Sequence, residues 1–186
     1  MSSAAAERYA RVAILLHWLI AALVVANLTI GLLHEDMARD ARQFWMAQHF
    51  AIGLSVLSLS VIRLGWRIGH GFPPLSLEHA AWERILARFT HLTFYLLMIG
   101  VPLLGWLIVS TGGGNPVSIF GLFEIPALPI GENDSVHDFA EEAHELLAKA
   151  WIGIIALHVV GALKHQLIDR DETLARMIPL LRTQRK

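Results

Sequence analysis

Four long runs of apolar residues, separated by polar segments, divide the chain. They cover approximately residues 10–33, 44–66, 85–110 and 146–168. A helix needs about 20 predominantly apolar residues to cross about 30 Å of hydrocarbon, so the pattern predicts four transmembrane helices. The chain contains no repeated unit and no change of composition. We therefore expect residues 1–186 to form one all-α membrane domain, a four-helix bundle.

The polar connections differ in character. Residues 34–43 form a short polar segment, which predicts a turn. Pro73 and Pro74 prevent helix continuation in the second connection, residues 67–83. The third connection, residues 111–136, is rich in Gly and Pro and predicts a long loop along the surface.

Basic residues predict the orientation of the four helices. With both termini on one side, that side receives 12 of the 15 Lys and Arg residues. An excess of basic residues marks the cytoplasmic side, so both termini are expected there. The opposite face receives the acidic residues Glu35, Asp36, Asp40, Glu124, Glu132, Asp134, Asp138, Glu141, Glu142 and Glu145.

The composition agrees with a membrane protein and excludes several kinds of cofactor. Hydrophobic residues make up 55% of the chain and charged residues only 17%, with a mean hydropathy of +0.51. The formal net charge of -1 gives no basic character that would suggest nucleic acid, so membrane lipid is the expected surrounding partner. The chain has no cysteine, which excludes disulfides, thiolate-bound iron–sulfur clusters and covalently attached c-type haem.

Four histidines lie at matching depths within the predicted helices. His17 begins the first helix near the cytoplasm, and His49 begins the second near the outer face. On the fourth helix, His144 is outer and His158 is inner, about 21 Å apart along the axis. These depths predict an inner pair, His17 with His158, and an outer pair, His49 with His144. Ionisable groups within a membrane are costly and usually functional.

Two axial imidazoles per iron are what a low-spin b-type haem requires, and the interior of a four-helix bundle commonly holds one. The pattern thus predicts two non-covalent b haems. Arg63, at the inner level of helix 2, is the candidate partner of a haem propionate, and Gly31 leaves the outer level of helix 1 without a side chain. His91 could face the inner haem or simply pack. Four further histidines at membrane edges are expected to be solvated: His34, His70, His79 and His137.

A bare metal site, as in a His-lined metal transporter, is the competing interpretation of these histidines. Such a site needs ligands that converge on one point, with carboxylates among them. The two predicted pairs are separated by a leaflet and lack acidic residues at membrane depth. The pattern therefore favours haem.

Sequence motifs along nearly the whole chain carry a family resemblance. They are RYARVAILLHW at 8–18, QHFAIG at 48–53, HLTFYLLMIGVPLLG at 91–105, GNPVSIFGL at 114–122, HELLAK at 144–149, HVVGALKH at 158–165 and DETLARMIP at 171–179. With these motifs the chain resembles the bacterial di-haem cytochrome b561 family. The resemblance implies the same haem ligands that depth indicates, His17 with His158 and His49 with His144.

The resemblance also implies a function. Family members transfer electrons across the bacterial inner membrane between a periplasmic-side donor and ubiquinone, and one branch oxidises superoxide to oxygen. The family's quinone contact falls on His165. The resemblance therefore implies that the chain is a quinone-linked oxidoreductase of a respiratory chain.

Two departures keep a second function open. The outer loops are acidic, which repels the superoxide anion. The basic loop residue that the family associates with quinone is not matched near residues 77–80, where Glu78 and His79 stand. The alternative is a non-catalytic electron-transfer subunit that serves a periplasmic cytochrome or dehydrogenase. A cationic periplasmic electron-transfer protein would suit the acidic face.

Overall fold

The computed structural model describes residues 10–70 and 80–181, and four α-helices dominate that part of the chain. Helix α1 spans Arg11–Leu33, α2 Arg39–His70, α3 Ala81–Thr111 and α4 Asp134–Lys164. All four are long and apolar enough to cross a membrane. Each predicted span therefore corresponds to one helix.

Helices α2, α3 and α4 begin before their apolar runs, and α2 continues four residues beyond its predicted end, to His70. The predicted turn at residues 34–43 is shorter, because a 3-10 turn at His34–Asp36 leads almost directly into α2. Helix α4 starts about three turns before residue 146, and Asn133 caps it with a side-chain oxygen 3.1 Å from the Val136 amide. The apolar pattern marks the membrane-length part of a helix, whereas these polar turns extend beyond it.

The helices pack in sequence order around an apolar centre. Extensive contacts join α1 to α2, α2 to α3 and α3 to α4. Within the described residues, α4 makes no comparable backbone contact with α1 or α2. Ile20, Val56, Leu97 and Trp151 bring one buried side chain from each helix into the central cluster. The bundle is therefore closely packed along these three helix pairs, and it is more open between α4 and the helices α1 and α2.

A small β-hairpin covers one end of the bundle. Strand β1, Val117–Ile119, pairs antiparallel with strand β2, Phe123–Ile125. The buried β1 side chains pack against Ala51 and Leu54 of α2. Gly121, at φ 74°, helps to close the turn between the strands. This hairpin was not predicted from the Gly- and Pro-rich connection, and it adds a β element to the predicted all-α fold.

The two ends of the bundle hold different parts of the chain. The hairpin end holds the connections from α1 to α2 and from α3 to α4. The terminal end holds both ends of the described chain, and the Trp18 indole there donates to the Met177 carbonyl at 2.9 Å. A π-helical turn, His165–Asp169, follows α4, and Arg170 then reverses the chain with φ 54°. The predicted helix to residue 168 thus ends in a wider turn.

Candidate functional site

The structure brings the four intramembrane histidines together in the two predicted pairs. At the terminal end, the ring centres of His17 and His158 are 6.3 Å apart, with 66° between the ring planes. At the hairpin end, the ring centres of His49 and His144 are 6.0 Å apart, with 67° between the planes. All four side chains are half-buried. Helix α4 contributes one member to each pair.

These separations suit two imidazoles that share one metal ion. A metal–imidazole bond is about 2.0 Å long, and the ring nitrogen lies about 1.1 Å from the ring centre. Two rings on opposite sides of an iron therefore have centres about 6.2 Å apart. Both observed separations, 6.0 and 6.3 Å, lie close to this value.

In the part of the chain that the structure describes, the two helices that contribute to each pair are not in close backbone contact. One pair joins α4 to α1 and the other joins α4 to α2. These are the helix combinations that make no extensive backbone contact within the described residues. A haem plane between the paired rings would therefore meet side chains rather than closely packed backbone. The residues present fit a b-type haem at each level.

A bare metal ion fits these pairs less well. In residues 10–70 and 80–181, only His165, Asp169 and Asp171 form a group of three ligand side chains whose donor atoms lie within 4.8 Å of one another. That group lies at the terminal end, outside the paired histidines. At each intramembrane pair, the described residues bring no third His, Asp or Glu ligand atom within 4.8 Å of the ligand atoms of both imidazoles, as an isolated ion would require.

Basic and aromatic side chains surround the pair at the terminal end. His91 of α3 has its ring centre 5.9 Å from that of His158, so it faces this pair rather than packing elsewhere. Arg63 of α2 is close enough to act electrostatically on His17, His91 and His158. The predicted propionate partner is thus at the level of the pair at the terminal end. Its neighbour Arg67, whose guanidinium lies 5.8 Å from the Tyr95 ring centre, was not predicted.

Backbone carbonyls hold the pair at the hairpin end. His49 Nδ1 is 3.2 Å from the Asn27 carbonyl oxygen, and His144 Nδ1 is 2.9 Å from the Val101 carbonyl oxygen. A carbonyl can only accept, so each Nδ1 donates and each Nε2 is left as the metal-binding nitrogen. No described residue forms such a hydrogen bond with His17 or His158. These acceptors were not predicted, because every residue has a backbone carbonyl and no residue type marks the ones that accept.

His165 belongs to a charged cluster at the terminal end. Its Nδ1 lies 2.8 Å from an Asp171 oxygen and 3.0 Å from an Asp169 oxygen. Lys164 pairs with Asp169 at 2.8 Å and also contacts Glu83 at the start of α3. The predicted quinone contact is therefore held by carboxylates that sequence analysis did not single out.

Asp171 is the best-defined member of this cluster. Its second oxygen accepts from the Thr173 amide at 2.7 Å. Although burial alone would raise it, hydrogen bonds from Thr173 and His165 lower the pKa of Asp171 to about 2. Asp171 is therefore a carboxylate at neutral pH.

Two edge histidines cap helices instead of being simply solvated, which corrects the expectation for them. His34 Nδ1 lies 2.8 Å from the Gly31 carbonyl oxygen at the end of α1. His137 Nδ1 lies 3.1 Å from the Ile108 carbonyl oxygen at the end of α3. The Ile108 carbonyl also accepts from the Gly112 amide at 3.0 Å, so His137 adds a second hydrogen bond to a carbonyl at the end of α3. His70 is exposed as expected, and His79 lies outside the described residues.

Comparisons with known proteins agree with this arrangement. The family model of prokaryotic cytochrome b561 matches residues 8–180. The chain is 34% identical to cytochrome b561 homolog 2 of Escherichia coli strain K12, an alignment that covers 92% of each protein. It is 32% identical to the probable superoxide oxidase CybB of Yersinia pestis, over 93% of this chain and 97% of that protein.

A third relative is cytochrome b562 of Cereibacter sphaeroides, which is 30% identical over 91% of this chain and 94% of its own length. The family implies b-type haem, which agrees with histidine pairs in a bundle that lacks cysteine. Four membrane-length helices agree with a multi-pass protein. The chain belongs to the prokaryotic cytochrome b561 family of bacterial membrane electron-transfer proteins.

Proposed function

We propose that this chain is a di-haem b cytochrome of the inner membrane that transfers electrons between a periplasmic-side donor and ubiquinone. The supporting observation is the separation of the rings in both pairs, 6.3 Å for His17 and His158 and 6.0 Å for His49 and His144. A b haem bound by two imidazoles supplies one-electron transfer and has no axial position for oxygen or substrate.

The distribution of charge supports an orientation. The terminal end has Arg63, Arg67 and most of the other basic residues that the structure describes, so we assign it to the cytoplasm. The hairpin end is then periplasmic, and His49 with His144 forms the outer pair. Arg63 would compensate the negative charge of a propionate if haem were bound at the inner pair.

His165 is the proposed contact for ubiquinone at the cytoplasmic end. Reduction of ubiquinone to ubiquinol takes two electrons, delivered one at a time, and two protons. His165 donates a hydrogen bond to a quinone oxygen and passes on one of the two protons, and the other comes from the cytoplasmic solvent. Asp171 fixes the orientation of its ring. If superoxide is the donor, two superoxide anions give two oxygen molecules and the two electrons.

A redox titration of the purified protein tests this proposal directly. The protein is reduced in detergent, ubiquinone is added and haem reoxidation is followed; oxidised protein then receives superoxide. We expect both haems to reoxidise, and His165→Gln to slow this step while both haems remain bound. His70→Gln, which changes an exposed histidine at the same end, is the matched control. Haems that ubiquinone does not reoxidise would contradict the proposal.

The acidic hairpin end supports a second candidate, an electron-transfer subunit that accepts electrons from a cationic periplasmic protein. Residues 34–43 and 111–149, at and near the hairpin end, contain ten acidic and three basic residues. Asp138, Glu141 and Glu142 are among the exposed ones. This charge attracts a basic protein and repels superoxide.

The dependence of the haem reduction rate on ionic strength distinguishes the two candidate donors. Reduction by a basic cytochrome is expected to slow as ionic strength rises, because attraction is screened. Reduction by superoxide is expected to become faster, because repulsion is screened. Rapid reduction by superoxide at low salt would favour the enzyme, and reduction that needs the basic protein would favour the subunit.

A further inference from the structure

The two histidines of the outer pair are held by the same backbone arrangement, which occurs on two different helices. His49 bonds to the carbonyl of Asn27 on α1, and its ring lies against Gly31, four residues later. His144 bonds to the carbonyl of Val101 on α3, and its ring lies against Gly105, again four residues later. Neither α1 nor α3 supplies a ligand to this pair.

Helix geometry explains why the glycine stands four residues after the carbonyl. In an α-helix the carbonyl of residue i accepts from the amide of residue i+4. A helical side chain points towards the N-terminus and covers the turn before its own Cα, so the side chain at i+4 shields that carbonyl. Glycine leaves the second lone pair of the carbonyl open to an imidazole N–H.

The available space agrees with this explanation. A Cβ atom at Gly31 would lie 3.3 Å from Cε1 of His49. A Cβ atom at Gly105 would lie 3.3 Å from Cε1 and 3.5 Å from Nδ1 of His144. Alanine at either position would therefore press on the ring and displace Nδ1 from its carbonyl by a few tenths of an ångström.

We propose that Gly31 and Gly105 are positioning residues that open a backbone carbonyl to each outer histidine and thereby lower the midpoint potential of the outer haem. This inference rests on the proposed function, because it requires haem at both pairs. A hydrogen bond from Nδ1 to a carbonyl makes the imidazole a stronger donor, which favours ferric iron.

The inner pair differs in two ways that act in the opposite direction. Within the described residues, no backbone carbonyl accepts from His17 or His158. The positive charge of Arg63 acts on both of these histidines and favours the more negative, ferrous state. The inner haem therefore has the higher potential, and electrons that enter from the periplasm move inward downhill.

The test measures haem potentials and low-temperature EPR spectra of the wild type and of Gly31→Ala and Gly105→Ala. His144→Ala and His158→Ala assign the outer and inner signals. We expect each glycine variant to raise the potential and change the EPR signal of the outer haem alone, or to lose that haem alone. Gly100→Ala, on α3 with no atom near the added Cβ, should change neither haem.

Unchanged outer signals in both glycine variants, or changes in the inner haem instead, would overturn the inference while leaving the proposed function standing. The order of the potentials in the wild-type protein provides a second test that needs no glycine variant. An outer haem with the higher potential would overturn it. A wild-type protein without haem would overturn the proposed function as well.

Discussion

Removing the charge of Asp171 should loosen the segment that follows α4. Asp171 accepts from the Thr173 amide at 2.7 Å and pairs with His165 Nδ1 at 2.8 Å. In Asp171→Asn the side chain keeps its size and an acceptor oxygen but loses the negative charge. The variant therefore isolates the electrostatic part of these contacts.

The expected magnitude follows from the pKa of Asp171. Lowering this pKa from 3.8 to about 2 corresponds to at most about 2.5 kcal/mol, since each pKa unit is worth about 1.4 kcal/mol. Solvent reaches 22% of the side chain, and screening reduces the contribution to about 1–2 kcal/mol. A change of this size alters a local opening equilibrium about 5- to 30-fold.

Amide hydrogen exchange in detergent measures this equilibrium. At pH 7, the amides of Thr173, Met177 and Ile178 should be about 5- to 30-fold less protected in Asp171→Asn than in the wild type. Asp36→Asn, which changes an exposed carboxylate at the hairpin end, should leave these amides unaffected.

The pH dependence has a definite sign. The pKa of Asp171 is lower in the folded protein, so its ionised form stabilises the segment above pH 3.8, and this stabilisation disappears as the pH falls towards 2. The ratio of protection between wild type and variant should fall towards one over that range. Equal protection at pH 7, or a ratio that does not change between pH 4 and 2, would refute the reasoning.

Three further substitutions test packing, capping and ligation. Trp151→Ala removes a core side chain that is only 4% exposed and should lower the free energy of unfolding by about 3–5 kcal/mol. Leu146→Ala, at a position that is 68% exposed, should lower it far less. Equal melting temperatures of the two variants would contradict this prediction. Asn133→Ala removes the cap on the Val136 amide and should lower the free energy of unfolding by about 1 kcal/mol. Thermal unfolding measures this change, and an unchanged melting temperature would contradict the prediction. His91→Ala should keep both haems in a haem-content assay, because His91 belongs to neither pair; loss of one haem would make it a ligand.

The four helices were predictable because the bilayer imposes a simple constraint on length and polarity. Apolar runs of about 20 residues identify the spans, and matching depth was enough to pair His17 with His158. The early starts of α2 and α4 were less predictable, because their polar first turns lie beyond the apolar runs. The hairpin was missed because each strand has three residues, too few to show an alternating pattern.

Most contacts that surround the paired histidines could not be predicted from the sequence. The Asn27 and Val101 carbonyls act through backbone atoms, which every residue possesses. Gly31 could be placed near the outer pair by its depth, but its contact with the His49 ring required the relative rotation of α1 and α2. Likewise, the link between His165 and Asp171 depends on the π-helical turn that brings them together.

We propose that each histidine pair, His17 with His158 and His49 with His144, holds one haem. The most direct test is haem content per chain, measured in the purified wild type, His144→Ala and His158→Ala. We expect two haems in the wild type and one in each variant, and the spectra of the two variants should differ because different haems remain. Two haems retained in either variant, or one haem in the wild type, would contradict it.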